Sequence, residues 1–412
     1  MKDECPKTMW VHVDINSYFA TIIQQENPLL RGKPVGIIKS KGRTCIIAAS
    51  KEAKTFGVTT GCSLKEARIR CPHLITVPAA FPLYLSATQR LKRLCTSLVP
   101  HAEMFSLDEA FLSLTECAHL YPDPHTFGSL IQQRIREELG EWVTCNVGIA
   151  ESKLLAKMAS ETGKKGSITC VTGDSLLALL ATTSFKDVCG VGWGLSARLQ
   201  TLGVTSLLQI SFIPDEQLIP CVGPFWAKEL RAMSMGKDPD FLTRKRSASM
   251  KSVGRTITGR ALCRDPRIIK QTLYNLTAEV IAKVREMRLA GRQIGVFLEG
   301  DGKRWGAHVT TQTPVKHTLE MFLFLYDKVQ NEWIDQFPVI RFGVSLSLLT
   351  SQAHNQEQIL PEWQKQERVE MAVGMINKKH GLFAVRSALL LGHSLIFPEV
   401  NGYLGDRQYY GL

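Results

Sequence analysis

Apolar positions along the chain change period several times, and those changes mark out its elements. Trp10 to Val13 is a short apolar run that ends at Asp14-Ile15-Asn16-Ser17, after which the spacing lengthens and predicts a helix from Tyr18 to about Gln25. RGKPVGIIKS and RTCIIAAS read as a strand pair, followed by a helix from about Ser50 to Thr55, a Phe-Gly turn and another helix beginning near Ser63. Residues 81–98 form an amphipathic helix. In EMFSLDEAFLSL two apolar strand arms flank Leu107-Asp108-Glu109, and a helix over 127–139 leads to the strand VTCNVGIA. From about residue 176 to 240 the pattern is helical with tight glycine turns, and the polar, basic TRKRSASMKS reads as a linker. Strands and helices resume over about 251–350. SQAHNQEQILPEW is then polar and irregular, and a final helix is predicted around Glu367 to Lys379. This mixed order of strands and helices predicts an α+β core.

Composition narrows the class. The chain has 412 residues, 44% hydrophobic and 21% charged, which is too apolar for a disordered chain and long enough for about two to four domains. Its net charge of +12 points to an acidic partner, a membrane or a nucleic acid. Residues 1–240 hold 26 basic and 23 acidic side chains, residues 241–350 hold 18 and 9, and residues 351–412 hold 6 and 6. The positive field therefore belongs to one late segment, the pattern of a dedicated polyanion-binding domain. No apolar run approaches the roughly 20 residues needed to span a bilayer, and MKDECPKT has no hydrophobic signal core. A soluble, cytoplasmic protein without membrane contact is expected. The eleven cysteines are scattered singly with no CxxC pair, which predicts reduced, mostly buried thiols.

The sharpest chemical constellation is Asp14 at the end of a buried strand, with Asp108 and Glu109 between apolar strand arms. Charge in such surroundings is costly unless matched. Two adjacent strands presenting three carboxylates have the oxygen ligands for two magnesium ions that clamp a transferring phosphoryl group. The same residues also suit a helix cap at Asp14 and a turn at Asp108-Glu109, and spacing alone leaves both readings open.

VDINSYFA, AASKEAKTFGVTTG, FSLDEAFLSL and NVGIAESKLLAKMASETGKKG occur in the order and approximate spacing of the bacterial Y-family translesion DNA polymerases, which this chain resembles over about residues 9–350. The resemblance implies a right-hand α+β polymerase. It places the palm at 1–20 and 79–175, the fingers at 21–78, a helical thumb at 176–240, a linker at 241–250, a separate basic α+β little finger at 251–350 and a tail at 351–412. It implies template-directed addition of deoxynucleotides to a primer 3′ end. A non-catalytic DNA-binding repair factor on the same scaffold is the alternative, and a nucleotide cyclase or other two-metal enzyme on a related palm is disfavoured by the thumb and basic domain that follow.

Position by position, the resemblance makes Asp14, Asp108 and Glu109 the catalytic carboxylates. They and the carbonyl of Ile15 would hold two Mg²⁺ ions, with Mn²⁺ as a substitute. Phe19 falls where the family has its sugar-discriminating aromatic. The Tyr18 and Phe19 amides, at a helix start, are placed to meet phosphate oxygens. Lys51 and Lys54 stand where the family commonly has a tyrosine and an arginine, so phosphate attraction is kept with less fixed geometry. Asn16 replaces an aspartate found in many relatives, and Ile23 stands where a glutamate is frequent. Lys164 aligns with a palm lysine that reaches the triphosphate. Lys153 and Lys157, one helical turn apart, fit either a solvated face or that same role.

CGVGWGLSARLQTLGV resembles a helix-hairpin-helix, whose Gly190-Val191-Gly192 turn would offer backbone amides to a DNA phosphate without reading sequence. Lys251, Arg255, Arg260, Arg288 and Arg292 are the candidate phosphate contacts of the basic domain. Gln356, Ile359 and Leu360 resemble the short peptide by which bacterial members bind the sliding clamp. The partners implied are primer-template DNA, deoxynucleotide triphosphates and the clamp, with the chain a monomer.

Overall fold

The computed structural model describes residues 8–39, 45–121, 123–243, 250–333, 337–351, 361–381 and 384–392. Two compact units divide the chain, Met1–Arg246 and Ser247–Gly411. Among the described residues no helix is long and apolar enough to cross a membrane, and ten cysteines are free thiols.

The first unit opens with β1 (Trp10–Ile15) and α1 (Tyr18–Glu26). β2 (Val35–Ile38), β3 (Ile46–Ala49), α2 (Lys51–Thr55), α3 (Leu64–Arg70) and β4 (Ile75–Pro78) build a small three-stranded sheet with its helices. After α4 (Phe81–Leu98) come β5 (Ala102–Met104), β6 (Glu109–Ser113), α5 (Pro124–Leu139), β7 (Cys145–Ala150), α6 (Lys153–Thr162) and β8 (Ile168–Cys170). The main sheet runs β5-β6-β1-β7-β8, with β1 central and antiparallel to both neighbours.

Side chains alternate across that sheet. Val11, Val13 and Ile15 face one way, into the apolar layer, while His12 and Asp14 face the other, toward α6. Helix α6 comes so close to β7 that a Cβ on Gly148 would lie 1.9 Å from the Ala156 carbonyl oxygen, so only glycine fits there. The predicted short elements hold to within a few residues. β4 and β8, three or four residues each, were not foreseen, since runs so short carry no readable alternation.

Beyond α7 (Asp174–Thr182), the compact helices α8 (Trp193–Thr201), α9 (Leu207–Ile210), α10 (Asp215–Val222), α11 (Pro224–Ser234) and α12 (Asp240–Thr243) share a core with α6. The predicted linker at 241–250 begins inside α12, and residues 244–249 of it lie outside the described residues.

In the second unit β9 (Ser252–Cys263), α13 (Pro266–Glu286), β10 (Leu289–Gly300), β11 (Lys303–Val315), α14 (Thr318–Glu332) and β12 (Val339–Ser351) form a sheet of order β11-β10-β12-β9 backed by two helices. The last helix, α15 (Pro361–His380), starts earlier than predicted. Its Glu370 accepts from Arg285 and from the Thr318 amide (3.3 Å), and its Glu367 pairs with Lys316 at 2.6 Å, which ties it to α13 and α14.

Candidate active site

Register brings the carboxylates together. Asp14 pairs with Glu109 across β1 and β6 and with Asn146 across β1 and β7, and the Ile15 amide donates to the Asp108 carbonyl at 3.0 Å. Residues almost a hundred positions apart thus meet at one end of two adjacent strands in the middle of the main sheet. Beside them Asp14, Asn16, Asn146, Glu161, Gly163, Lys165, Lys186 and Asp187 line a cleft of about 400 Å³. Asn16 donates to Asn146 (3.2 Å) and to Thr144 (3.3 Å), so the asparagine is used to tie β1 to the strand beside it.

The three carboxylates are electrostatically unlike. Burial, together with the charges of Asp108 and Glu109, pushes Asp14 up to about 7. Burial also raises Asp108, against the hydroxyl of Ser106 that bonds its Oδ1. Glu109 goes the other way. Burial alone would raise it, but the His12 hydrogen bond and the Lys157 ammonium outweigh that and hold it at about 2. Asp14 and Asp108 are thus a buried acidic pair lacking enough positive charge, whereas Glu109 is matched.

That unmet charge fits a divalent cation. Among the described residues no three His, Cys, Asp or Glu side chains converge into a closed metal cage. An open set of one or two carboxylates is what Mg²⁺ uses when waters and substrate phosphates complete its shell.

Helix α1 begins beside the carboxylates at Ser17, which has φ 51°, an uncommon conformation for a residue with a Cβ. Its buried hydroxyl has no partner among the described residues. Tyr18 is core: its hydroxyl donates to the Tyr84 carbonyl (2.6 Å) and bonds Thr88 (2.8 Å). Phe19, half-buried, packs on Tyr84 with ring centroids 4.5 Å apart.

The lysines sort themselves by position. Lys51 lies with its ammonium 4.5 Å over the Trp142 ring and 3.9 Å from Glu52. Lys54 is lowered by burial and by the charge of Lys165, with Asp14 acting in the opposite sense, and Lys165 itself lines the cleft. Lys164 is exposed in the α6–β8 turn, and its neighbour Lys165 lines the cleft instead. Sequence offers no way to choose between adjacent lysines in a turn. Lys153 and Lys157 are buried, so the solvated-face reading does not hold: Lys153 pairs with Glu103 at 2.5 Å and sits 4.6 Å over the Trp10 ring, and Lys157 bonds Glu109 and Glu161. His12, which the sequence reading passed over, is fully buried with its Nε2 3.1 Å from Glu109 Oε2. The signal was available: His12 has the parity of Asp14 on β1.

Gly190 has φ 88°, and the Phe241 ring fills the space a Cβ would need, while Gly192 caps α8 in the open. The element before this turn is a single 3₁₀ turn, Phe185–Asp187, rather than a full helix. Trp193, next to it, is 89% exposed.

Of the basic candidates in the second unit, Lys251, Arg288 and Arg292 are exposed, Arg292 at a bulge in β10. Arg255 faces inward, its Nε 3.6 Å from the buried Glu279 carboxylate of α13. The Arg260 side chain lies outside the described residues, as do Gln356, Ile359 and Leu360. Arg304 and Arg341, not singled out from sequence, flank the Phe297 ring at 4.9 and 5.7 Å.

Comparison with known proteins agrees with this geometry. The profile of the impB/mucB/samB family matches residues 13–161, and that of its C-terminal domain matches residues 250–359. A DNA polymerase IV of Moorella thermoacetica is 30% identical over 92% of this chain and 95% of its own. A DNA polymerase IV of Pelotomaculum thermopropionicum is 28% identical over 94% and 97%. A solved Y-family DNA polymerase chimera superimposes with a TM-score of 0.70 at 24% identity, covering 83% of this chain and 99% of the chimera.

Proposed function

Because the chain belongs to the impB/mucB/samB family, the bacterial Y-family DNA polymerases, we propose that it is a template-directed DNA polymerase that adds deoxynucleotides to a primer 3′ end in translesion synthesis. The observation that carries this reading is the Asp14–Glu109 register pair, with Asp108 adjoining it at the junction of β1 and β6. All three carboxylates are in place, so nothing favours a non-catalytic factor.

Asp14, Asp108, Glu109 and the Ile15 carbonyl are the proposed ligands of two divalent ions, Mg²⁺ or in its place Mn²⁺, whose chemistry is to acidify the primer hydroxyl and neutralise phosphate charge. The chain's own residues do the rest. Lys54 and Lys165 attract the triphosphate, helped by the amides that open α1. Lys51 and the exposed Lys164 add to the attracting field. Phe19 lies under the deoxyribose and excludes a 2′-hydroxyl by contact. Gly190 and Gly192 offer amides to a DNA phosphate, and Lys251, Arg288 and Arg292 hold the backbone of primer-template DNA. Gln356, Ile359 and Leu360 are proposed to engage a sliding clamp, with the polymerase itself a monomer.

Primer extension by Asp108→Ala and Glu109→Ala tests the site. Extension should fall by about 10³-fold, while primer-template binding stays within a few fold, since affinity rests on phosphate contacts. A double variant that extends at the parent rate overturns the reading.

A further inference from the structure

We propose that His12 and Lys157 are positioning residues that pin one oxygen of Glu109 so that its other oxygen is presented to the reacting centre. The inference rests on Glu109 belonging to the polymerase site described above.

Three observations carry it. Both contacts to Glu109 fall on the same atom: Lys157 Nζ and His12 Nε2 each bond Oε2, the latter at 3.1 Å. Two hydrogen bonds at one oxygen fix the carboxylate's rotation and leave Oε1 outside the clamp. Secondly, each partner is itself held. His12 Nδ1 lies 2.6 Å from Ser160 Oγ, and its ring packs on Phe111 with centroids 4.6 Å apart, so the imidazole has no room to turn. Lys157 is tied at 2.9 Å to Glu161, one helical turn on, and lies 5.2 Å over the Phe105 ring. Thirdly, the clamp comes from rigid elements. His12 stands on the central strand, and Lys157 and Ser160 stand on α6, which Gly148 allows to lie directly against the sheet.

Nε2–H of His12 donates to Glu109 Oε2, and Nδ1 faces the Ser160 hydroxyl, whose proton goes to the Lys157 carbonyl at 2.8 Å, so the serine ties the ring to α6. This Ser160–His12–Glu109 chain orients the carboxylate, and the Lys157 ammonium adds its charge at the same oxygen. Partners that orient the groups around a metal commonly matter 10- to 100-fold to its affinity. Among the described residues Glu109 is the carboxylate of the three that bonds a basic side chain, while Asp108 bonds the Ser106 hydroxyl.

The test compares Glu109→Gln, His12→Phe, His12→Gln, Lys157→Met and Lys157→Arg in the full chain, bound to primer-template with a dideoxy terminus and an incoming deoxynucleotide. Binding of Mn²⁺ alone is followed by the electron paramagnetic resonance of the free ion, with primer extension and melting temperature measured alongside. His12→Phe and Lys157→Met should each raise the Mn²⁺ concentration at half-saturation by about tenfold. His12→Gln and Lys157→Arg, which restore a donor, should recover most of it. Should Lys157→Met fail to fold, the His12 pair decides, since Phe fills the ring's volume without its donor. Parent-like Mn²⁺ binding by His12→Phe overturns the proposal, as does an equal loss in His12→Phe and His12→Gln, which would make the ring mere packing. Glu109→Gln separates the two levels. If it extends primers at the parent rate, the site assignment itself fails. If it is inactive while His12→Phe and Lys157→Met match the parent, only the positioning fails.

Discussion

Asp14 and Glu109 face each other across two strands and yet titrate in opposite senses, which gives stability a pH signature. Asp14, at about 7 in the fold against an ordinary 3.8, keeps a proton that the unfolded chain releases, so its contribution falls as pH rises from about 4 to 7. Glu109, at about 2 against 4.5, contributes stability that is fully present above 4.5 and is lost as pH falls toward 2. Metal-free Asp14→Asn should therefore melt above the parent at pH 8 and level with it near pH 4, and melting curves across that range check it. The opposite ranking at pH 8 would remove Asp14 from a buried acidic pair. At Phe19 the expected effect is on selectivity. Phe19→Ala should raise ribonucleotide incorporation relative to deoxynucleotide by about tenfold or more, because losing an apolar contact of this size shifts discrimination by 1–3 kcal/mol. An unchanged ratio in single-nucleotide kinetics would make the ring only a packing partner of Tyr84.

At the level of the element, strand parity decides what an arginine does. In β9, Val253 and Ile257 are buried, so Arg255 shares their face and meets Glu279 from α13. Net charge pointed to Arg255 as a DNA contact, and the two-residue period, legible in VGRTI, pointed inward. Arg255→Ala should cost about 3 kcal/mol by removing the cation that faces a buried carboxylate, and leave the salt dependence of DNA binding as it was. Arg292→Ala should do the reverse, with stability within about 0.5 kcal/mol and a slope of log affinity against log salt reduced by about 0.9. Denaturant titration and binding across a salt series distinguish them. The strand β1, the helix after it and the strand arm that begins at Glu109 could be read because their patterns are local. The clamp on Glu109 could not, because it depends on α6 crossing the sheet over Gly148, and the lysines of that helix look amphipathic from sequence.

On the scale of the molecule, charge and chemistry occupy different units. The carboxylates lie in Met1–Arg246, and residues 241–350, with 18 basic and 9 acidic side chains, lie mostly in Ser247–Gly411. Removing 247–411 should weaken primer-template binding strongly and flatten its salt dependence, while extension survives in part at high enzyme and low salt. A slope equal to that of the full chain would overturn the second unit as the DNA grip. The pairing of Asp14 with both Glu109 and Asn146 also has a temporal meaning. During synthesis the strand bearing Asp14 leaves the ribosome first and waits for more than 130 residues before β7 closes its other side, a closure of high contact order and therefore slow. The nascent chain thus holds Asp14 apart from Asp108 and Glu109 until β6 has emerged, and the edge that Asn146 closes stays open until β7 follows it, with most of the chain still to be made.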